Sequence, residues 1–127
     1  MAHAAIQEDL QRAVKLFNRW QFEEAHEAFG KLAQEVEGRE RTYLEAIALL
    51  ASGFWRIWNK GGEPNAMVEY LQRGWDTLRA FERGTMGMDM SEFDEGIPQC
   101  LEEAARWRRG DVEMFNRDFI PRIELVG

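Results

Sequence analysis

The sequence predicts an all-α protein: a compact bundle of about five helices around one central buried helix, with an extended C-terminal tail. Three observations carry this expectation. Apolar residues recur at three- and four-residue spacing through most of the chain, which marks amphipathic helices. Between Ala46 and Trp55 only Ser52 has a polar side-chain group, and no proline interrupts the run. No β-hairpin signal occurs anywhere.

The first helix is predicted over about Ile6 to Phe17, where Ile6, Leu10, Ala13, Val14 and Phe17 share one face. Asn18 suits a short turn. A second helix follows from about Gln21 to Val36, with the stripe Phe22, Ala25, Phe29, Leu32 and Val36 and with Gly38 at its end. Glu23, Glu24, Glu27 and Lys31 fall on its other side, the acidic residues in the first turns where they complement the helix dipole.

The third and central helix is predicted over approximately 40–59. Its Tyr43–Trp58 stretch is apolar on nearly every side and needs cover around most of its circumference. A bilayer span would need ~20 apolar residues; this run is about half that and is bounded by Glu45 and Arg56. Lys60, Gly61 and Gly62 form a break, and Pro64 is placed to open a fourth helix running to about Glu82. Met67, Leu71, Gly74, Leu78 and Phe81 make its inner seam. Glycine in mid-helix costs roughly 1 kcal/mol relative to alanine, so Gly74 predicts a close helix crossing.

Arg83 to Met88 reads as a Gly- and Met-rich loop. Asp89 with Glu92 resembles an acidic capping box opening a fifth helix, whose face continues through Phe93, Ile97, Leu101 and Ala104. Pro98 predicts a split after Gly96. Trp107 to Arg109 closes the helix, and Gly110–Asp111 is read as restarting a short helix through about Phe115. From Arg117 onward, Pro121 and the alternating Ile123 and Leu125 predict an extended tail over the bundle.

At 127 residues the chain is expected to form a single domain, 1–127, able to bury a core without staples. Its 45% apolar and 31% charged content belongs to a soluble globular protein, not a disordered one. A net charge of −7 argues against a nucleic-acid partner and an anionic membrane surface, both of which call for clustered Lys and Arg. Cys100 is the lone cysteine, so neither an intrachain disulfide nor a cysteine zinc site is expected. Met1 to Asp9 is polar and lacks a signal-peptide core, and a cytoplasmic protein is expected.

Helix two carries the one constellation with catalytic residue types: Glu23, Glu24, His26 and Glu27. His26 lies toward the apolar stripe, one turn from Phe22 and Phe29. Glu23-x-x-His26 has the spacing of helical di-metal sites, but such a centre needs a second Glu-x-x-His, and the other histidine, His3, has no Glu before it. A mononuclear metal site from His26 with Glu23 or Glu27, and with Glu45 at the mouth of the apolar helix, is one reading. The competing reading makes His26 a strut, hydrogen-bonded to Glu45 or to a main-chain carbonyl, that docks helix two on helix three. No nucleophile has an adjacent base, and no cofactor is called for. Of the five tryptophans, Trp58 and Trp75 are least covered by the stripes and are the candidates for a subunit interface. The basic run Arg106–Arg109 is explained by a solvated helix terminus.

Ala25-x-x-x-Phe29 after Phe22 has the pattern of a tetratricopeptide helix, but no period of about 34 residues follows. A broader resemblance covers most of the chain. Phe17-Asn18, Phe22 and Glu24-Ala25-His26-Glu27, then Tyr43-Leu44-Glu45-Ala46-Ile47-Ala48-Leu49-Leu50-Ala51, the Gly87-Met88-Asp89-Met90 loop and the Pro121–Leu125 tail resemble the domain-of-unknown-function 309 family. The resemblance implies a small helical bundle and brings no established reaction. The chain departs from the family pattern at Gly30 and Ala33 (or Gln34), and it has Glu45 and Leu49 where the family carries glutamines. A divergent member that keeps His26 with reduced surroundings fits a docking role better than a working active site. The expected function is therefore a non-enzymatic interaction or assembly module, a homodimer or the partner of another protein. The alternative is a metal-dependent hydrolase or small-ligand enzyme using His26 with Glu23, Glu27 and Glu45.

Overall fold

The structure, a computed structural model, describes residues 2–126, with side chains from residue 6 onward. The side chain of His3 lies outside the described residues. The described chain is an all-α bundle of five helices: α1 (Ala2–Asn18), α2 (Phe22–Gln34), α3 (Gly38–Trp55), α4 (Pro64–Leu78) and α5 (Glu92–Arg109). Short 3-10 turns occupy 59–61, 85–87 and 117–119. A two-residue antiparallel bridge joins β1 (Met88–Asp89) to β2 (Glu124–Leu125), Met88 opposite Leu125. No helix among the described residues is long and apolar enough to cross a membrane.

Helix α3 is the centre, as its composition requires. Tyr43, Leu44, Ala46, Ile47, Ala48, Leu50, Ala51, Ser52, Gly53 and Phe54 are all buried. It lies between α2 and α4, and α5 packs on α4. Helix α1 packs on α2, and its last turn reaches the centre, where the Phe17 ring lies 6.0 Å from Phe54 and 5.9 Å from Phe93. Gly74 makes the predicted close crossing. A Cβ there would stand 2.9 Å from the Ala46 carbonyl oxygen and 3.0 Å from Leu50 Cδ2.

Several boundaries fall elsewhere than the periodicity places them. Gly38 opens α3 at φ +63°, while α2 already ends at Gln34. Arg41 stabilises that end by donating from Nε to the carbonyls of Ala33 and Val36, both at 3.0 Å, so a side chain from the next helix satisfies carbonyls a helix end leaves open. Helix α4 stops at Leu78. Helix α5 runs unbroken through Pro98, correcting the predicted split. Phe93, Ile97, Cys100 and Ala104 form one buried face on both sides of the exposed Pro98. Their burial outweighs the ~3 kcal/mol an internal proline costs. Asp89 does not act as the helix cap; its Oδ1 accepts from the Ser91 amide at 2.9 Å.

Residues 111–115 are not helical, which corrects the predicted short helix through Phe115. Gly110 adopts φ +82° and ends α5 with paired bonds, its own N–H to Trp107 O and the Asp111 N–H to Arg106 O. The tail then lies over the bundle in extended form. Ile120, Pro121 and Ile123 are buried. Asn18 grips the Ile123 main chain from both sides, its amide donating to the carbonyl at 2.8 Å and its Oδ1 accepting from the N–H at 2.9 Å. Glu103, only 5% exposed, accepts from the Asn116 amide at 3.0 Å, and the Cys100 thiol donates to the Phe119 carbonyl at 3.3 Å.

Candidate functional site

The residues on α2 singled out by the sequence are distributed over two surfaces. His26, Glu27 and Glu45 line an open groove of about 780 Å³ whose wall also includes Arg41, Leu49 and Arg73. Glu24 instead lines the groove between α1 and α2, which Glu27 shares. Glu23 lines neither. On α3 the residues Arg41, Glu45 and Leu49 follow one another at four-residue spacing and form the stripe that α2 and α4 leave uncovered. Glu45 is therefore exposed, not a buried carboxylate in need of a partner.

His26 is likewise exposed, yet its ring is fixed. Nδ1 lies 2.9 Å from the carbonyl oxygen of Ala48 on α3. A carbonyl only accepts, so Nδ1 carries the hydrogen, and in the neutral ring Nε2 keeps its lone pair. The hydrogen-bond partner is thus the main chain and not Glu45. This bond runs directly from α2 to α3. Among the described residues no three His, Cys, Asp or Glu side chains gather into a metal-holding group, and His26, Glu23 and Glu27 do not form one.

The candidate interface tryptophans separate. Trp75 is 7% exposed and belongs to the core, which removes it from the surface. It is buried beside Gly74 in α4, the helix between α3 and α5. Trp58 is half-buried, its ring 5.9 Å from Phe22 and 6.2 Å from Trp20.

Trp20 is the residue periodicity misses, because it lies in the turn after α1. It occupies the position that Gly110 occupies after α5: its N–H bonds to Phe17 O and the Gln21 N–H to Leu16 O. Glycine is usual there because the backbone is left-handed, and Trp20 holds φ +64°. An L-residue in this conformation costs roughly 1–2 kcal/mol. The residue nevertheless remains 41% exposed, so much of its indole stays in solvent. The guanidinium of Arg117, from the turn at 117–119, lies 5.8 Å from the Trp20 ring and 6.0 Å from the Trp58 ring. An exposed indole on a left-handed backbone, with a second indole and a cation beside it, forms a distinct surface of the described chain. The signal legible in sequence was a bulky residue, followed by Gln21, where a glycine would ordinarily end the helix.

Other chemistry-bearing groups are sequestered. Burial, and secondarily the Glu103 charge, pushes the Cys100 thiol up to about 12. Burial also raises the Tyr43 hydroxyl to about 12, with the Asp89 charge adding to it. Neither presents a reactive form near neutral pH. No protein-family model matches the chain, and no curated protein matches it.

Proposed function

We propose that the protein is a non-enzymatic interaction module, a divergent member of the domain-of-unknown-function 309 family, that engages a protein partner through the surface built by Trp20 and Trp58. The partner in this proposal is a second copy of the chain. The observation that carries it is Trp20: an aromatic residue kept half in solvent, at a backbone position that favours glycine. Aromatic side chains exposed beside a cation are the groups interfaces draw on for binding energy. The His26–Ala48 bond supports a structural part for the imidazole in the same module, joining the two helices behind the groove. Light scattering across a concentration series tests the proposal. The expected mass approaches twice the 14.8 kDa of the chain and falls back toward it when Trp58 is replaced by alanine.

A second reading rests on the groove beside His26. Nε2 faces no partner among the described residues, and Glu27, Glu45, Arg41 and Arg73 offer charges of both signs around it. That arrangement supports a small polar ligand. A metal version would need a carboxylate to swing toward the imidazole. Thermal melts with and without Mn, Fe and Zn test it: a midpoint indifferent to every ion removes the metal version.

A further inference from the structure

Resting on the interaction reading above, we infer that the Trp20–Trp58 pair is a recognition site for a guanidinium, filled in this structure by the chain's own Arg117 and available to an arginine presented by a protein partner. The occupant's chemistry is stated by the molecule itself. The two indoles lie 6.2 Å apart and tilted by 43°, and one guanidinium carbon stands within 6.0 Å of both ring centres. This is the range in which an aromatic face attracts a cation. A planar guanidinium also stacks on such rings in a way a lysine ammonium does not.

Arg117 can leave the rings without undocking the tail. The segment around it is held by other groups, Glu103 on the Asn116 amide, Cys100 on the Phe119 carbonyl and Asn18 on Ile123. Release of the site therefore needs only rotation of one exposed side chain. Arg117 stays tethered beside the rings when it rotates away, so an incoming guanidinium enters a patch that still holds Arg117 and Arg19. Left-handed Trp20 fits the same purpose: glycine would end α1 equally well and would present no ring.

The test is a titration of the full-length protein with the peptides acetyl-Gly-Arg-Gly-amide and acetyl-Gly-Lys-Gly-amide, read from the tryptophan indole N–H resonances. Arg117→Ala removes the internal competitor, so it is expected to bind the arginine peptide about tenfold more tightly than the wild-type chain. The shifts should centre on Trp20 and Trp58, the lysine peptide should bind more weakly, and the response should vanish in Arg117→Ala/Trp20→Gly. Equal affinity for wild type and Arg117→Ala, or shifts that survive Trp20→Gly, would overturn the inference. Should Arg117→Ala lose its dispersed spectrum, Arg117→Gln replaces it, with the same outcomes. A monomer in light scattering whose Arg117→Ala form takes the peptide refutes self-association alone. A dimer whose variant ignores the peptide refutes the cation site alone.

Discussion

The imidazole of His26 on α2 is hydrogen-bonded through Nδ1 to the backbone carbonyl of Ala48 on α3 at 2.9 Å. Ala48 is itself buried within a helix, so its carbonyl is a helical acceptor to which His26 adds a second donor. The bond adds to the Arg41 contacts with the end of α2 in pinning two elements that otherwise meet through apolar surfaces, and it fixes which ring nitrogen faces the groove. Loss of the ring leaves a carbonyl still engaged in its helix, not an orphan. The expected destabilisation of His26→Ala is therefore about 1 kcal/mol, the net worth of one partly exposed hydrogen bond. Urea melts measure it. A loss several times larger would mean that the ring carries packing its exposure does not reveal.

Two glycines set the spacing of the bundle. A Cβ on Gly62 would lie 2.2 Å from Trp107 Cζ2, and Gly62 also adopts φ +113°. Gly62→Ala must strain the backbone and displace a ring of α5, and a cost of about 3 kcal/mol is expected. Gly74→Ala is the sharper case, since helix propensity alone predicts a gain of about 1 kcal/mol. The Ala46 carbonyl oxygen 2.9 Å away is backbone and cannot yield cheaply, so α4 must move off α3. Net destabilisation is expected, with a lowered melting temperature for both variants by calorimetry; a stabilised Gly74→Ala would show that the crossing has slack.

What was legible in the sequence was whatever repeats. The Phe22, Ala25, Phe29, Leu32 stripe and the apolar Ala46–Trp55 run named the core, because burial imposes a period on a helix. At Pro98 local propensity points to a break, but the Phe93–Ala104 apolar face that spans it is strong enough to carry the helix through. Glu45 misled in the opposite direction: it adjoins a buried run, yet stands on the one stripe of α3 that neighbours leave open. Trp20, Arg117 and the Asn18 grip on Ile123 had no periodic signature. They are contacts between a helix end and a tail about a hundred residues later, and only the tertiary fold brings them together.

Cys100 offers a direct measure of how tightly the tail is held. Its thiol is buried, donates to Phe119 O and is pushed up to about 12, so the reactive thiolate is scarce in the folded chain. Alkylation at pH 8 should be negligible under native conditions and complete in denaturant. Its native rate should follow opening of the α5–tail contact. Glu103→Gln weakens the hold on Asn116 and should raise that rate. Unchanged labelling in this variant would show that the thiol is reached by another route.

Acid should loosen the molecule at the turn between α3 and α4. Glu63 is held below its usual value of 4.5, first by the hydrogen bond from Arg56 at 3.1 Å and then by that from Asn59 at 2.7 Å. Asp89 is similarly lowered from 3.8 by the Ser91 backbone amide and then by the Ser91 side chain. A folded-state value below the unfolded one means that the unfolded chain binds protons more readily as pH falls. The stabilisation from each carboxylate is thus fully present above its unfolded value and is lost as pH drops through the depressed folded value. Melting temperatures recorded from about pH 6 to about pH 2 should show wild type above Glu63→Gln and above Asp89→Asn at the upper end, with both gaps closing toward the acid end. A gap that persists at the lowest pH would assign the effect to shape and hydrogen bonding instead of charge. For Glu63 the distinction locates what holds the α3–α4 turn: the same residue also donates its backbone N–H to the Arg56 carbonyl at 2.8 Å, a bond that Glu63→Gln retains.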